Sequence, residues 1–459
     1  MTRTARDLPG QVAALAAGRD RVLDAAKAFA LLVVVVAHSM AWDVSTGTPA
    51  SVLDLRPDIA WATWTLQILP LFFAAGAVGN LGSWNRRPEA GPFLGRRLLR
   101  LGTPGLVYSA FWTALLLPLV LVVPLAEFAG KFLSQLVWFL GVYSAVVVAV
   151  PWTARWVQRP VLTVGLWLGA IAVVDALRWN VATALGWLNL LLVWGFVHQV
   201  GYHLPALRRQ RPVRLVAGAL VSIGAAVALA VVGPYSASMV SYAGDPEPSN
   251  LSPPTVVVAL YGLGLVLVLA ALWPALTRLL AHDRLYLVIG AFGSRAVGIY
   301  LWHIPLVALV AGAAWGLGFP ATPLSAPWWA VHALGFAFVL TAAWFVAGLA
   351  GRGDRALRAW GATRPRRALP VLPFAVAVPL VLLSISPTGF GTWWGPGMLG
   401  LPSSSVLNLA VLTAAWWGLA VGRIEAQAGS PAVSGVDRGV GPAEPADPPS
   451  ASGYGQAQS

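Results

Sequence analysis

AKAFALLVVVVAHSMAW, the run from Ala26 to Trp42, is apolar over most of its length yet holds a lysine at its start and a histidine deep inside it. On an α-helix, the 11-residue separation of Lys27 and His38 turns them to within ~20° of one direction and sets them ~16 Å apart along the axis. They share one face. Asp24, three residues before Lys27, falls near the same stripe and is placed to pair with it at the helix start. An ionisable side chain inside an apolar span is costly, so it marks a site of function whose partners need naming. The plainer readings are a packed histidine bonded to a backbone carbonyl and a lysine that snorkels to the interface as an anchor.

Composition sets the surroundings of this helix. Hydrophobic residues make up 58% of the 459 and charged residues only 10%, against roughly 25% charged in an ordinary globular chain. Such a chain cannot cover itself with polar surface, and the fold class is an all-α, polytopic transmembrane helix bundle. The sequence has no cysteine, which excludes disulfides, thiolate catalysis and cysteine metal sites. The net charge of +13 sits in short loops between apolar runs rather than along one soluble face. Topology explains it better than nucleic-acid binding does.

Runs of about 20 apolar residues read as spanning helices, and twelve are expected: 23–42, 59–81, 103–123, 133–151, 161–177, 184–203, 212–233, 254–276, 286–315, 327–349, 368–385 and 404–421. Their loops alternate in charge. One set carries Arg3, Arg6, Arg19 and Arg21, then Arg86, Arg87, Arg96, Arg97 and Arg100, then Arg155, Arg159, Arg208, Arg209, Arg211, Arg214, Arg278 and Arg284. It continues with six arginines from Arg352 to Arg367 and with Arg423. The other set has Arg56, Lys131 and Arg178 against Asp43, Asp54, Asp58, Glu127, Asp175, Asp245 and Glu247. Basic loops stay inside, so the expectation is a multi-pass protein of the inner (cytoplasmic) membrane with both termini in the cytoplasm.

Trp61 and Trp64, Trp328 and Trp329, and Trp393 and Trp394 fall near the expected outer helix ends, as an interfacial aromatic belt does. With 23 tryptophans in the chain the belt speaks for topology and not for activity. Residues 1–20 read as a polar, basic cytoplasmic segment, and the run after them as a retained anchor rather than a cleaved signal. The tail, 424–459, is rich in Gly, Pro, Ser and Ala and reads as disordered and cytoplasmic.

RVLDAAKAFALLVVVVAHS resembles the first helix of the acyltransferase-3 superfamily, whose signature is Arg or Lys, ten residues, then His; Lys27 and His38 match it. PLFFAAGAVG (Pro70–Gly79) is similar to the family's second-helix segment, with Ala75 where a serine is usual. In FLGRRLLRLGTPGL, Arg97 and Arg100 match the family's arginine pair. QLVWFLGVY around Trp138 and GIYLWHIPL (Gly298–Leu306) resemble two further segments, with His303 at the second family histidine. The resemblance covers residues 21–350, a ten-helix core, and leaves 351–423 as an additional helix pair. It implies an integral-membrane O-acyltransferase that takes acyl groups from cytoplasmic acyl-CoA, with acetyl-CoA as the expected co-substrate. The implied acceptor is a hydroxyl of a carbohydrate or lipid-linked glycan at the outer face.

The residues allow chemistry of this kind on their own terms. Transfer to a hydroxyl needs a base, and histidine is the side chain whose ordinary pKa lies nearest working pH. His38 is the catalytic candidate, either as that base or as a covalent carrier of the acyl group. Lys27, Arg97 and Arg100 offer charge to donor phosphates, the arginines three apart at a helix start; their plainer reading is positive-inside loop charge. Tyr300 and His303 face one way and are expected to line the same cavity. Arg295, the one arginine inside its span, either binds donor or pairs with an acid such as Asp24. His198 and His203 read as structural or interfacial. No histidine–carboxylate spacing suits a metal, and no bound cofactor is expected. The competing classes are a twelve-helix secondary transporter and a noncatalytic scaffold, which leaves the His38 stripe unexplained.

Overall fold

The computed structural model describes residues 19–123, 125–242, 249–319, 321–365, 367 and 369–422. The expectations for most of the N-terminal segment, for the tail and for Arg3, Arg6, Asp245, Glu247, Arg366 and Arg423 lie outside them. Helix α1 is Arg21–Met40, started by Asp20, whose carboxylate accepts from the Val22 and Leu23 amides. A two-strand hairpin follows, β1 (Trp42–Asp43) with β2 (Ala50–Ser51). Next come α2 (Leu69–Arg86), α3 (Ala90–Leu119), α4 (Leu125–Ser134), α5 (Val137–Thr153) and α6 (Pro160–Asn180). They are followed by α7 (Asn189–Gly201), α8 (Pro212–Val232), α9 (Val256–Leu279) and α10 (Asp283–Ser294). The chain goes on through α11 (Ala296–Gly316), α12 (Ala326–Ala362), α13 (Val371–Thr388), a second small hairpin and α14 (Ser405–Val421).

Ten of the described helical stretches are long and apolar enough to cross a membrane. Helix α3, apolar only beyond Arg100, and the 17-residue α14 account for the other two expected spans. Backbone polar groups have no water to bond in a bilayer, so a chain of this composition closes its hydrogen bonds within helices. The alternating loops gather at opposite ends. At one, Arg21 donates to the Leu280 carbonyl and pairs with Asp283, and Arg208 pairs with Asp20 at 3.0 Å. At the other, indole N–H groups pin the loops: Trp64 to the Ala237 carbonyl, Trp315 to that of Gly47, and Trp328 to Asp43, each at 2.8 Å.

Helix α1 packs against α2, α9, α10, α11 and α12. Its alanines Ala26, Ala28 and Ala30 are buried, the small side chains through which membrane helices approach closely.

Two expectations, the span at 286–315 and the belt position of Trp328, need correction. The span expected at 286–315 is two helices: the chain breaks at Arg295 (φ −111°, ψ 8°), after Gly293 and Ser294, both poor helix formers. Within the expected additional segment, 351–423, lie α13 and α14. Helix α13 packs into α3 and α5 within one compact unit, and a Cβ on Gly141 of α5 would stand 2.9 Å from the Leu383 side chain. Trp328 is not a belt residue, being only 3% exposed, whereas Trp61, Trp329, Trp393 and Trp394 are exposed as expected.

Candidate functional site

The stripe on α1 is real, and its two ends differ. At the Arg-rich end, Asp24 is turned inward and takes three donors: Arg19 Nε at 2.8 Å, the Tyr286 hydroxyl at 3.1 Å and Lys27 Nζ at 3.2 Å. Its bond to Asp24 holds the Arg19 guanidinium above its usual pKa. Burial, reinforced by the Asp24 carboxylate, pushes the Tyr286 phenol up, so it keeps the proton it donates. Asp24 therefore acts on Lys27 rather than on open space, and Lys27 remains about one third exposed at this end.

One turn short of the other end, His38 meets His303 of α11. His38 Nδ1 lies 2.8 Å from the Val34 carbonyl and 3.3 Å from His303 Nε2. The rings are tilted by 55° with centroids 5.1 Å apart. His303 Nδ1 lies 2.6 Å from the Tyr300 carbonyl and 3.2 Å from that of Ile299. Carbonyl oxygens only accept, so each Nδ1 carries the proton. His303 Nε2 is then an acceptor for the His38 Nδ1 proton, which it shares with Val34. The assignment leaves His38 Nε2 with a lone pair and no hydrogen-bond partner among the described residues. His303 is fully buried and His38 half-buried. As the plainer reading of His38 has it, the ring bonds a backbone carbonyl, and that bond leaves Nε2 without a partner among the described residues.

Between Lys27 and the histidines, Leu31 and Val34 of the same stripe form one wall of a narrow apolar cavity. Leu69 and Phe72 of α2, Phe139 and Tyr143 of α5, and Ala296 and Tyr300 of α11 complete it. Edge-to-face contacts of Phe72 with Phe139 and Tyr143, at 5.2 and 5.6 Å, stiffen that wall. Tyr300 lines this cavity but His303 does not; the Tyr300 hydroxyl is bonded to the Leu136 carbonyl at 2.8 Å. Tyr300 shapes the slot and holds α5.

The arginines separate. Arg97 and Arg100 sit in the second and third turns of α3, not at its start, and only Arg97 turns in, donating to the Gly79 carbonyl at 2.7 Å. Arg100 stays exposed. Arg295 does not pair with Asp24. It donates to the Trp344 carbonyl at 2.9 Å and its guanidinium lies 4.0 Å from the centre of the Trp344 ring, a cation–π contact with α12. The helix break at Arg295 is what frees its side chain to reach that helix.

Two clusters escaped sequence reasoning. His198, expected to be structural or interfacial, is buried on α7 and accepts from Asn80 of α2 at 3.1 Å; Asn80 Nδ2 also lies 3.5 Å from the Tyr143 hydroxyl. Ala75, which stands where a serine is usual, is buried, and Asn80 is a buried polar side chain of α2. At the Trp-rich end, His332 of α12 is stacked against Trp42 and Trp328 at 4.3 and 3.7 Å. No metal-ligand cluster of three or more His, Cys, Asp or Glu occurs among the described residues.

Residues 20–348, well over half of the chain, match the family model for an acyltransferase domain. No curated protein and no solved structure matches the chain. The match contains Lys27, His38, Arg97, Arg100, Tyr300 and His303, and it ends before α13 and α14. The chain belongs to the acyltransferase-3 family and is a multi-pass membrane acyltransferase.

Proposed function

We propose that the protein transfers an acyl group, acetyl in the simplest case, from acyl-CoA to a hydroxyl of a carbohydrate or lipid-linked glycan, with His38 as the base. The observation that carries this reading is the unpartnered Nε2 of His38, whose ring is held in one tautomer by Val34 and His303 one helical turn from Val34 and Tyr300 in the wall of an apolar slot. The hydroxyl oxygen attacks the thioester carbonyl while His38 Nε2 takes the hydroxyl proton. The C–S bond then breaks and the imidazolium returns the proton to the leaving thiolate, giving the ester and free coenzyme A. His303 steadies the charge that His38 carries in between, because its Nε2 accepts the Nδ1 proton throughout.

In this reading the Arg-rich end faces the cytoplasm, both termini lie there, and the protein resides in the cell membrane. Lys27, fixed by Asp24, and the Arg97–Arg100 pair meet the phosphates of the donor. The slot, apolar and lined by Tyr300, takes the acyl group and the thioester end of the donor. Arg295 is held on α12 by Trp344, and its remaining N–H groups are open to the donor.

The test is transfer of label from acetyl-CoA to envelope glycans and lipids in membranes containing the wild type or His38→Gln, read by mass spectrometry as a gain of one acetyl group. Loss of transfer at unchanged membrane abundance supports the reading; undiminished transfer in His38→Gln overturns it.

A further inference from the structure

His38 stands in the last turn of α1, and helix ends fray because their final carbonyls lack partners within the helix. This end closes loosely on itself: the Ala41 N–H reaches the His38 carbonyl at only 3.5 Å. What fixes it lies just past the helix. The Ala41 carbonyl accepts from the Val52 amide at 2.8 Å, and the Trp42 carbonyl faces Nε2 of His332, on α12, at 3.0 Å.

His332 Nδ1 faces a second carbonyl, that of Trp328, at 2.8 Å. Carbonyl oxygens only accept, so a ring satisfied at both nitrogens carries a proton on each and is a cation. Its surroundings suit one. The ring, 2% exposed, lies between the indoles of Trp42 and Trp328, with centroids 4.3 and 3.7 Å away and planes tilted by 28° and 25°, and aromatic faces attract positive charge. Asp43, equally buried, lines the same gap and supplies the opposite charge. Its Oδ1 accepts from the Ser45 amide at 2.7 Å and from the Ser45 hydroxyl, and its Oδ2 accepts from Trp328 Nε1 at 2.8 Å. Trp328 thus holds the carboxylate at its N–H and the imidazolium at its ring face. A buried charge persists where it is both compensated and hydrogen-bonded. Here each charge is both.

We propose that His332 is a positioning residue for His38: a buried imidazolium, neutralised by Asp43 through Trp328, that clamps the Trp-rich end of α1 to α12 and so holds the last turn of α1 and the His38 ring in place. The clamp acts across four residues, one turn of helix from Trp42 back to His38. It rests on the acyl-transfer reading only for what His38 does; the clamp itself is read without turnover.

The test is nitrogen NMR on the full chain in lipid nanodiscs, with histidine labelled in the ring and the His332 signals assigned by their loss in His332→Gln. Both ring nitrogens are expected to carry hydrogen; a bare nitrogen at either position overturns the cation. His332→Gln should speed hydrogen exchange at the Ala41 amide by about tenfold or more, the worth of one hydrogen bond from a charged donor, and leave the Lys27 end of α1 as it was. Unchanged exchange at Ala41 overturns the clamp. In a double-mutant cycle, His332→Gln with Asp43→Asn should lose less stability than the two single changes summed, because each alone strands a buried charge; strict additivity overturns the pairing. Should His332→Gln fail to fold, Asp43→Asn decides: without its counter-charge the ring should show one bare nitrogen, and an unchanged imidazolium speaks against the pair. In the transfer assay His332→Gln should lower kcat several-fold with both KM near wild type, and a pure KM effect overturns the positioning role. Absence of transfer from wild type, with the ring and exchange signals as described, would be a failure of the acyl-transfer reading and not of the clamp.

Discussion

His38 Nδ1 and His303 Nε2 stand 3.3 Å apart across two helices whose residues are 265 positions apart in the chain. The pair is asymmetric: His303 is sealed in and bonded through both nitrogens, whereas His38 keeps one nitrogen for a substrate. Losing His303 should therefore differ from losing His38. His38→Ala is expected to lower kcat by about 10² to 10⁴, the usual worth of a positioned base. His303→Ala should lower kcat by a smaller factor with little change in either KM, because the base remains but its ring is no longer steered. Steady-state kinetics on purified protein separates the two, and a pure KM effect in His303→Ala would contradict the assignment.

Lys27 and Asp24 should be read out by the donor alone. Lys27→Gln is expected to raise the donor KM while leaving kcat and the acceptor KM near wild type. Asp24→Asn should give the same pattern more weakly, since it loosens Lys27, Arg19 and Tyr286 without removing any of them. Lys27 is partly exposed, so the effect should shrink as salt rises.

The apolar slot can be filled from α1. Ala30→Leu places three extra carbons at the cavity lined by Leu31 and Val34. Thermal stability should fall by about 1–3 kcal/mol, because the buried Ala30 is one of the small residues at which α1 packs closely, while the donor KM rises. A stability loss with unchanged donor KM would mean that the slot is not the path of the donor.

Gly76 of α2 sits where any larger residue would collide with the Tyr143 hydroxyl. Gly76→Val should destabilise the bundle by about 1–3 kcal/mol, the cost of overpacking a filled interior, and lower the melting temperature accordingly. Gly79→Ala on the same helix has open space around the added carbon and serves as the mild control.

The Lys27–His38 stripe was legible because a helix repeats every 3.6 residues and both groups stand out against an apolar run. Loop charge alternation found both ends of the bundle for the same reason: it is a local property of the chain. Arg295 was misplaced because Gly293 and Ser294 are tolerated within a helix and nothing nearby announces the break. The Trp42, Asp43, Trp328 and His332 group was invisible because its contacts join residues about 285 to 290 positions apart and because tryptophan near a membrane surface already had an adequate explanation. Asn80 and His198 were missed likewise: neither has a polar neighbour in sequence that hints at the other.

One rod carries the whole axis of the site. Lys27, the cavity wall at Leu31 and Val34, His38 and then Trp42 and Asp43 all come from a single continuous stretch, anchored below by Arg19 and Tyr286 and above by His332. Helix α1 thus serves as a ruler, and its graduations matter more than most of its letters. Inserting one alanine between Lys27 and His38 would rotate everything beyond it by ~100° and shift it by ~1.5 Å. That change adds no charge and removes no side chain, yet it would dissociate the lower half of the site from the upper, whereas an apolar substitution at a lipid-facing position such as Phe29 would leave the measure intact.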